Sequence, residues 1–430
     1  MSEAFISRRS GSVMRIGYFT PFWPLGSGAN GISTVLGHLS GELRRQGHEI
    51  YFICPRRPKH IDPGDDGSER LPVLFLEDDY CPSIVTRIWY RVDSLSAYYH
   101  ETRRRIASAA ERLVREHQIE IFEIEESFGW VEAVSARLSI PVVARLHGPW
   151  FLPHEQLSSG IFTRSDNWRI FHEGRGILRA SAVSAPSMDV LNRVIRRYGP
   201  ISAPTGVIKN AVPLVAEAQC WSPSTQKPGT ILFIGRFDAR KGGDTVIEAF
   251  NKIALQDADA RLLFVGPDIG LTRPRGVTQQ LPEYVNKHLS EQARERFQYL
   301  GPLPPHKISE LRRTAAVTVV ASRYENFPTV VLEAMSVGSP LVATPVGGTP
   351  EILSNEENAL LVPPDDPSRL AAAVVRMLHE PGLSCRLGRR AREDLIANCS
   401  AEIVARETIE FYRQVIDATR TGHGAQGRTG

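Results

Sequence analysis

The sequence predicts an α/β protein of two Rossmann-like, parallel-sheet domains facing one another across a cleft. Three observations lead there. At 430 residues the chain is long enough for two domains of roughly 200 residues each. Short apolar runs alternate with amphipathic stretches through the first 200 residues, and this pattern describes parallel strands buried on both faces between helices. The interval 210–228, NAVPLVAEAQCWSPSTQKP, then loses the periodicity and gathers Pro and Ser before the alternation restarts, which marks a linker.

In the first half RIGYFT, EIYFIC, IEIFEI, VVARLH and SAVSA read as strands, with ISTVLGHLSGELRRQ as a helix between the first two. In the second half the strands are TILFIG, RLLFVG, FQYLG, VTVVAS, PLVAT and ALLVP. Helices are expected from about Thr245, near 305–314 and near 328–337, and AEIVARETIEFYRQVI forms a last amphipathic one. The reading therefore divides the chain into a first domain over 1–209, the linker, a second domain over 229–400, a terminal helix over about 401–418 and a flexible Gly- and Thr-rich tail over 419–430.

Composition removes several function classes. A chain 42% hydrophobic and 23% charged is neither disordered nor collagen-like, and 51 basic against 48 acidic residues (+3) leaves no electrostatic footprint for nucleic acid. The apolar runs are strand-sized, far below the roughly 20 residues of a bilayer crossing. Residues 1–20 lack the apolar core and small-residue cleavage site of a signal peptide. The five cysteines form no CxxC pair and no zinc-spaced Cys/His cluster. The expectation is a cytoplasmic protein with reduced thiols.

Gly26, Gly28 and Gly31 spell GxGxxG, but five residues separate the strand from the first glycine and no acidic residue ends the second strand, so a nicotinamide cofactor is not expected. What remains is either a plain tight turn or a loop at a helix N-terminus able to approach an anion or a bulky substrate closely. GRFDARKGGDTVIEAF is more specific. Its strand ends at Gly235, Arg236 and Lys241 occupy the following loop, Gly242 and Gly243 let the chain turn, and Thr245 with Glu248 reads as a capping box. Two cations at the carboxyl edge of a parallel sheet, beside a helix N-terminus, suit a diphosphate, although loop charges also serve solubility.

In SRYENFPTVVLEAMSVGSP, Glu325 falls in a loop after a strand, Pro328 opens a helix and Glu333 lies about a turn and a half along it. Carboxylates so placed accept hydrogen bonds from ligand hydroxyls, while the free amides of the helix start can hold phosphate. His147 closes the strand VVARLH at the carboxyl edge of the first sheet, where ligands of open α/β sheets collect; a strand-end histidine also serves as a hydrogen-bonded structural residue. Asp65, Asp66, Asp78 and Asp79 read as solvated turn residues rather than metal ligands.

Together these residues resemble the retaining, GT-B-fold glycosyltransferases of family 4, over nearly the whole chain. The resemblance rests on ENFPTVVLE with its seven residues between two glutamates, GRFDARKG, His147 with Gly148, ASAVSAPS with Ser184, VIKNAVP with Asn210, and NALLVPPDDP. It implies a catalytic set of His147, Glu325, Arg236 and Lys241, in which Arg236 and Lys241 hold the donor diphosphate, Glu325 contacts hydroxyls of the donor sugar and His147 lies near the reacting centre. Glu333 contacts the ribose, and further donor contacts come from Asn326, Phe327, Thr329, Val330 and Gly266. Asn30 and Gly31 form a loop near donor or acceptor, and the helix over 401–418 packs back toward the first domain. Glu173 matches a glutamate that precedes the serine segment. Three positions depart from the family pattern: Asn30 and Gly31 replace paired glycines, Asn210 and Ala211 replace Asn-Gly, and Pro213 replaces an Asp.

The implied reaction moves a hexose from a nucleoside diphosphate sugar to a hydroxyl of a sugar or lipid-linked acceptor with retention, without cofactor or metal, in polysaccharide, glycolipid or glycoconjugate synthesis. Rivals on the same plan are a sugar phosphorylase, a nucleotide-sugar epimerase and an inactive sugar-nucleotide-binding relative. ETRRRIASAAERLVREH places Ile106, Ala110, Leu113 and Val114 on one face and Arg103, Arg104, Arg105, Arg112 and Arg115 around the other. Packing of this helix on the sheet is the expectation; contact with an anionic inner membrane face is the alternative.

Overall fold

The structure, a computed structural model, describes residues 13–25, 31–56, 71–76, 87, 91, 94–157, 162–272 and 277–426. Gly26, Gly28, Asn30, Asp65, Asp66, Asp78, Asp79 and Cys81 lie outside the described residues. Among those described, seven strands form the first sheet: β1 (Arg15–Phe19), β2 (Glu49–Cys54), β3 (Val73–Phe75), β4 (Ile121–Glu125), β5 (Val142–Arg145), β6 (Ala182–Ala185) and β7 (Thr205–Val207). Their order is β3-β2-β1-β4-β5-β6-β7, parallel throughout. The second half supplies β8 (Lys227–Ile234), β9 (Arg261–Val265), the small hairpin β10 (Leu271–Thr272) and β11 (Thr278–Gln279), then β12 (Phe297–Gly301), β13 (Ala315–Val320), β14 (Leu341–Ala343) and β15 (Leu360–Leu361). Its six-stranded parallel sheet runs β12-β9-β8-β13-β14-β15.

Both orders reverse direction once, between β1 and β4 and between β8 and β13. Beyond the carboxyl ends at such a switch point neighbouring crossovers diverge and leave a crevice. All six residues of β13, AAVTVV, are buried, as a strand covered by helices on both faces requires. Helices Ser94–His117, Trp130–Ser135 and Arg164–Arg179 cover one face of the first sheet; Ile106, Ala110 and Leu113 lie in this core. The helix carrying Arg103 thus packs on the sheet, and Arg103 turns onto Glu132 at 3.1 Å. Helices Gly31–Arg45 and Ala401–Gln426 cover the other face. On the last of these, Val404, Thr408, Tyr412 and Val415 are buried at helical spacing, and Val404, Tyr412 and Val415 join the core that holds Ile16, Tyr18, Phe52 and Val143. Tyr412 also donates to Glu123 at 2.8 Å, tying the end of the chain to β4.

Three local expectations are corrected. The strand read as TILFIG begins earlier, at Lys227, inside the stretch assigned to the linker, because Lys227 pairs with Ala315 before a register shift on β13. The helix placed near Thr245 is Gly243–Gln256 and has no capping box. Its cap is Gly242 at φ 68°, where a Cβ would stand 1.9 Å from the Ala321 carbonyl oxygen, so the chain approaches β13 too closely for a capping side chain. Thr245 instead accepts from Arg323, and Glu248 from the Tyr284 hydroxyl. Finally, the tail from Thr419 does not fray at once. The helix continues to Gln426, with Thr419 and Thr421 hydroxyls donating to the carbonyls of Val415 and Asp417.

Candidate active site

The loop after β8 is shaped from within. Oδ1 of Asp238 accepts the amides of Arg240 at 3.0 Å and Lys241 at 2.9 Å, and Gly242 presses the loop onto the end of β13. Arg323 then clamps it from β13's side, donating to the Ala239 carbonyl at 2.7 Å and to the Asp244 carboxylate at 2.9–3.0 Å. The result carries Lys241 Nζ to 2.5 Å from Glu325 Oε1 and Arg240 to 3.3 Å from Oε2, while the Ser322 hydroxyl donates to Oε1 at 2.7 Å. Burial alone would raise the Glu325 carboxyl, but the charges of Lys241 and then Arg240 outweigh it and hold the acid at about 2. Burial lowers the Lys241 ammonium from its ordinary value against the pull of Glu325.

The backbone of Glu325 is enclosed as well. Its carbonyl accepts from Gly348 N at 3.0 Å, and Gly347 sits at φ 54° with no room for a Cβ, which would fall 1.7 Å from that oxygen. Gly266, at φ 136°, closes the neighbouring edge where β9 passes the Gly235 carbonyl. Beyond Pro328 the helix Thr329–Val337 begins. The amides of Thr329 and Val330 have no protein acceptor among the described residues, the condition in which a helix start takes an anion.

On the opposing sheet, His147 and Gly148 follow β5. Their amides both donate to Glu126, at 2.9 Å to Oε2 and 2.8 Å to Oε1. Burial, and then the charge of Arg145, pushes the imidazole down to about 3, so His147 is neutral at physiological pH. Glu126 moves the other way: burial and then the charge of Glu173 push it up to about 7, against the amide bonds it accepts. Burial and then Glu126 raise neighbouring Glu125 to about 8. Glu173, wholly buried, accepts from Trp150 N, Phe128 N and Arg169 Nε, and so pins the loops after β4 and β5 to the helix Arg164–Arg179.

Asn326 joins the two halves. Its Nδ2 donates to the His147 carbonyl at 2.7 Å, and its own carbonyl accepts from the Ser187 hydroxyl at 2.8 Å. Nearby, Glu351 accepts the first amides of the helix Met188–Tyr198, from Met188 at 2.9 Å and Asp189 at 3.0 Å. Asn210 donates to the Phe327 carbonyl at 3.2 Å, and Arg145 reaches back to Asn210 at 3.3 Å.

The geometry brings His147, Asn326, Glu325 and Lys241 together and separates others. Arg236 does not join Glu325: it is half exposed and paired with Asp238 at 2.8 Å, because the Asp238 turn aims Arg240 inward instead. Glu333 stands apart on its helix, with one carboxylate oxygen engaged by the buried Arg312. The Asn326 side chain faces His147, and Phe327 is core, 4% exposed. Gly31 opens the first helix. Sequence reasoning passed over Arg240, Glu126, Ser187, Glu351 and the pair Gly347 and Gly348. The glycine pair after PLVAT, the two acids ending IEIFEIEE and Ser187 as a helix cap were readable signals; the contacts of Ser187 with Asn326 and of Glu351 with Met188 span more than 130 residues of chain and left none.

The family model described as Glycosyltransferase Family 4 matches residues 29–215, and that described as Glycosyl transferases group 1 matches residues 221–394. The chain is 28% identical over 290 residues to glycogen synthase of Mycobacterium tuberculosis, a match covering 65% of this chain and 64% of that protein. It is 27% identical over 328 residues to the alpha-maltose-1-phosphate synthase of Mycolicibacterium smegmatis, covering 68% and 79%. Among solved structures, sucrose-phosphate synthase from Thermosynechococcus elongatus superposes with a TM-score of 0.70 at 21% identity, over 94% of this chain and 100% of that one. Anabaena Alr3699/HepE in complex with UDP and glucose gives 0.66 at 16%, over 93% and 100%. With one model on each parallel-sheet half, and the GT-B architecture shared with these structures, the chain belongs to the family 4 glycosyltransferases.

Proposed function

We propose that the protein is a retaining hexosyltransferase that takes its sugar from a nucleoside diphosphate donor and passes it to a hydroxyl of a sugar or lipid-linked acceptor. The observation that carries this reading is the cation cluster at the carboxyl edge of the second sheet. Lys241 and Arg240 converge on a buried, ionised Glu325, the residue just before the Asn326 that meets His147. The names of the relatives, which synthesise glycogen, maltose 1-phosphate and sucrose phosphate, support a hexose, and the UDP and glucose bound by Alr3699/HepE support a nucleotide donor.

In this reading the donor diphosphate lies on Lys241, the outer Arg236 and the free amides of Thr329 and Val330. Glu325 accepts from sugar hydroxyls, and Glu333 uses its remaining oxygen for the ribose. The bond from C1 to the β-phosphate oxygen breaks with its electron pair leaving on the diphosphate, while the acceptor oxygen bonds C1 on the same face. The acceptor proton passes to the departing phosphate oxygen. Fixed cations aimed at developing charge stabilise that departure without reorganising, and a neutral His147 offers a hydrogen bond without adding charge beside an electron-poor sugar. The reaction as drawn asks for no metal, and we place it in the cytoplasm, in the building of a polysaccharide, glycolipid or glycoconjugate. Membrane contact through the helix Ser94–His117 is not part of the proposal, since its Arg103 is turned inward on Glu132.

The test is a melting-temperature screen against UDP-, GDP- and ADP-hexoses, followed by release of nucleoside diphosphate from the one that stabilises. Release on adding a sugar acceptor supports transfer. Formation of a sugar 1-phosphate only with added phosphate, or no stabilisation by any donor, contradicts it.

A further inference from the structure

We propose that Glu126 is a positioning residue for the transfer reaction, holding the His147–Gly148 turn in the one shape that presents the imidazole to the reacting centre and receives Asn326 from the opposing half. The inference rests on the transferase reading for its rate effects, and on geometry alone for its structural ones.

Three hydrogen bonds converge on this turn. Both oxygens of Glu126 are used, one on each of two consecutive amides. Two successive N–H groups can point at one carboxylate only if the chain bends sharply between them. The torsions of His147, which lie between the two amides, set that bend, and Gly148 turns the chain again just after it at φ 141°, a value L side chains rarely adopt. A Cβ there would fall 2.1 Å from Asn326 Nδ2, so the turn is also the seat on which Asn326 lands. Asn326 then donates to the carbonyl of His147, the same residue whose amide Glu126 holds. The carboxylate thus fixes His147 from behind while Asn326 fixes it from the front, one residue away from Glu325. Glu126 never reaches the substrate; it acts through His147.

The charged form of Glu126 is the one that accepts two N–H bonds at full strength, since protonation turns one oxygen into a donor. It is surrounded by Glu125 at the end of β4, Glu173 and Arg169 from the helix Arg164–Arg179, Arg145 at the end of β5 and His147 just beyond it, and Tyr198 from the helix Met188–Tyr198. The acids there favour its protonated form and Arg145 its charged form. Turnover should therefore rise as pH increases through about 7, where the group ionises. Stability should run oppositely: a carboxyl raised in the folded state contributes stability that is present below its unfolded value and lost as pH rises through the folded one.

The experiment compares wild type with Glu126→Gln, which keeps the shape but offers one acceptor oxygen. Hydrogen exchange at the His147 and Gly148 amides is read alongside steady-state kinetics. Expected are at least tenfold faster exchange at one of the two amides and a roughly tenfold or larger fall in kcat. The donor KM should stay within about twofold, and the rise of kcat through pH 7 should flatten. Glu173→Gln, which loosens Trp150 and Phe128 instead, should leave exchange at Gly148 unchanged and controls for general destabilisation. Unchanged exchange in Glu126→Gln overturns the proposal even if the protein transfers no sugar, whereas altered exchange without any wild-type turnover counts against the transferase reading alone. If Glu126→Gln does not fold, the wild-type profile decides: a kcat flat between pH 6 and 8 overturns the role.

Discussion

The Nζ of Lys241 and the Oε1 of Glu325 stand 2.5 Å apart, the lysine from the loop after β8 and the glutamate from the loop after β13. These are the two strands that flank the switch point of the second sheet. The pair therefore closes the crevice where this topology collects ligands. On the proposed reading, a diphosphate arriving there would compete with Glu325 for the lysine and a sugar hydroxyl with the lysine for Glu325, so the ion pair would hold ready both groups that a donor needs.

Replacing Lys241 by Ala should lower kcat at saturating donor by roughly 10²-fold or more, the usual consequence of losing a preorganised charge-stabilising donor. Arg240 remains near Glu325 in this variant, which should preserve folding; a melting curve run in parallel checks that. Wild-type turnover would remove the lysine from the reaction.

Glu325 and Glu333 should separate kinetically. Glu325→Gln loses hydrogen bonds that strengthen as the sugar becomes electron-poor, so kcat should fall more than donor affinity. Glu333→Gln should weaken the free nucleoside diphosphate roughly ten- to a hundredfold, the worth of about 1.5–3 kcal/mol for a hydrogen bond to a charged group. Calorimetry with the bare nucleotide distinguishes them, because that ligand lacks the sugar. Equal weakening by both variants would refute the assignments. Glu333 also neutralises the buried Arg312, so its variant should melt lower as well.

The stability contribution of Glu325 has a defined pH window. Its carboxyl is depressed to about 2 in the folded protein, so the stabilisation is present above the unfolded value of about 4.3 and lost as pH falls toward 2. The melting-temperature difference between wild type and Glu325→Gln should be constant from pH 5 to 7 and shrink steadily below pH 4. A difference that grows on acidification would show that Glu325 is not ionised in the fold.

Transfer should persist in EDTA if the leaving diphosphate is neutralised by Lys241 and its neighbouring arginines. Complete loss on chelation, restored by magnesium or manganese, would replace the cations with a metal in this role.

Much of this arrangement was legible in the chain. β13 and the helix Thr329–Val337 were readable because apolar periodicity and Pro328 are local signals, and the placement of Lys241 beside Glu325 follows once both loops are assigned to carboxyl edges. What escaped was set by distance. Arg236 and Arg240 are equally charged in sequence, and only the turn made by Asp238 decides which faces Glu325. The capping box at Thr245 failed because its pattern is local while the approach of Ala321 to Gly242 is not. Asn326, read as a donor contact, turns to His147 across 179 residues of chain, a pairing no spacing rule contains.

The most direct measurement is proton NMR of the anomeric region during turnover of an α-configured nucleoside diphosphate hexose, with wild type and Lys241→Ala side by side. The account predicts an α-linked product appearing together with nucleoside diphosphate for wild type, and the same product formed at least about a hundredfold more slowly by the variant. A β-linked product, or equal rates in the two proteins, would contradict it.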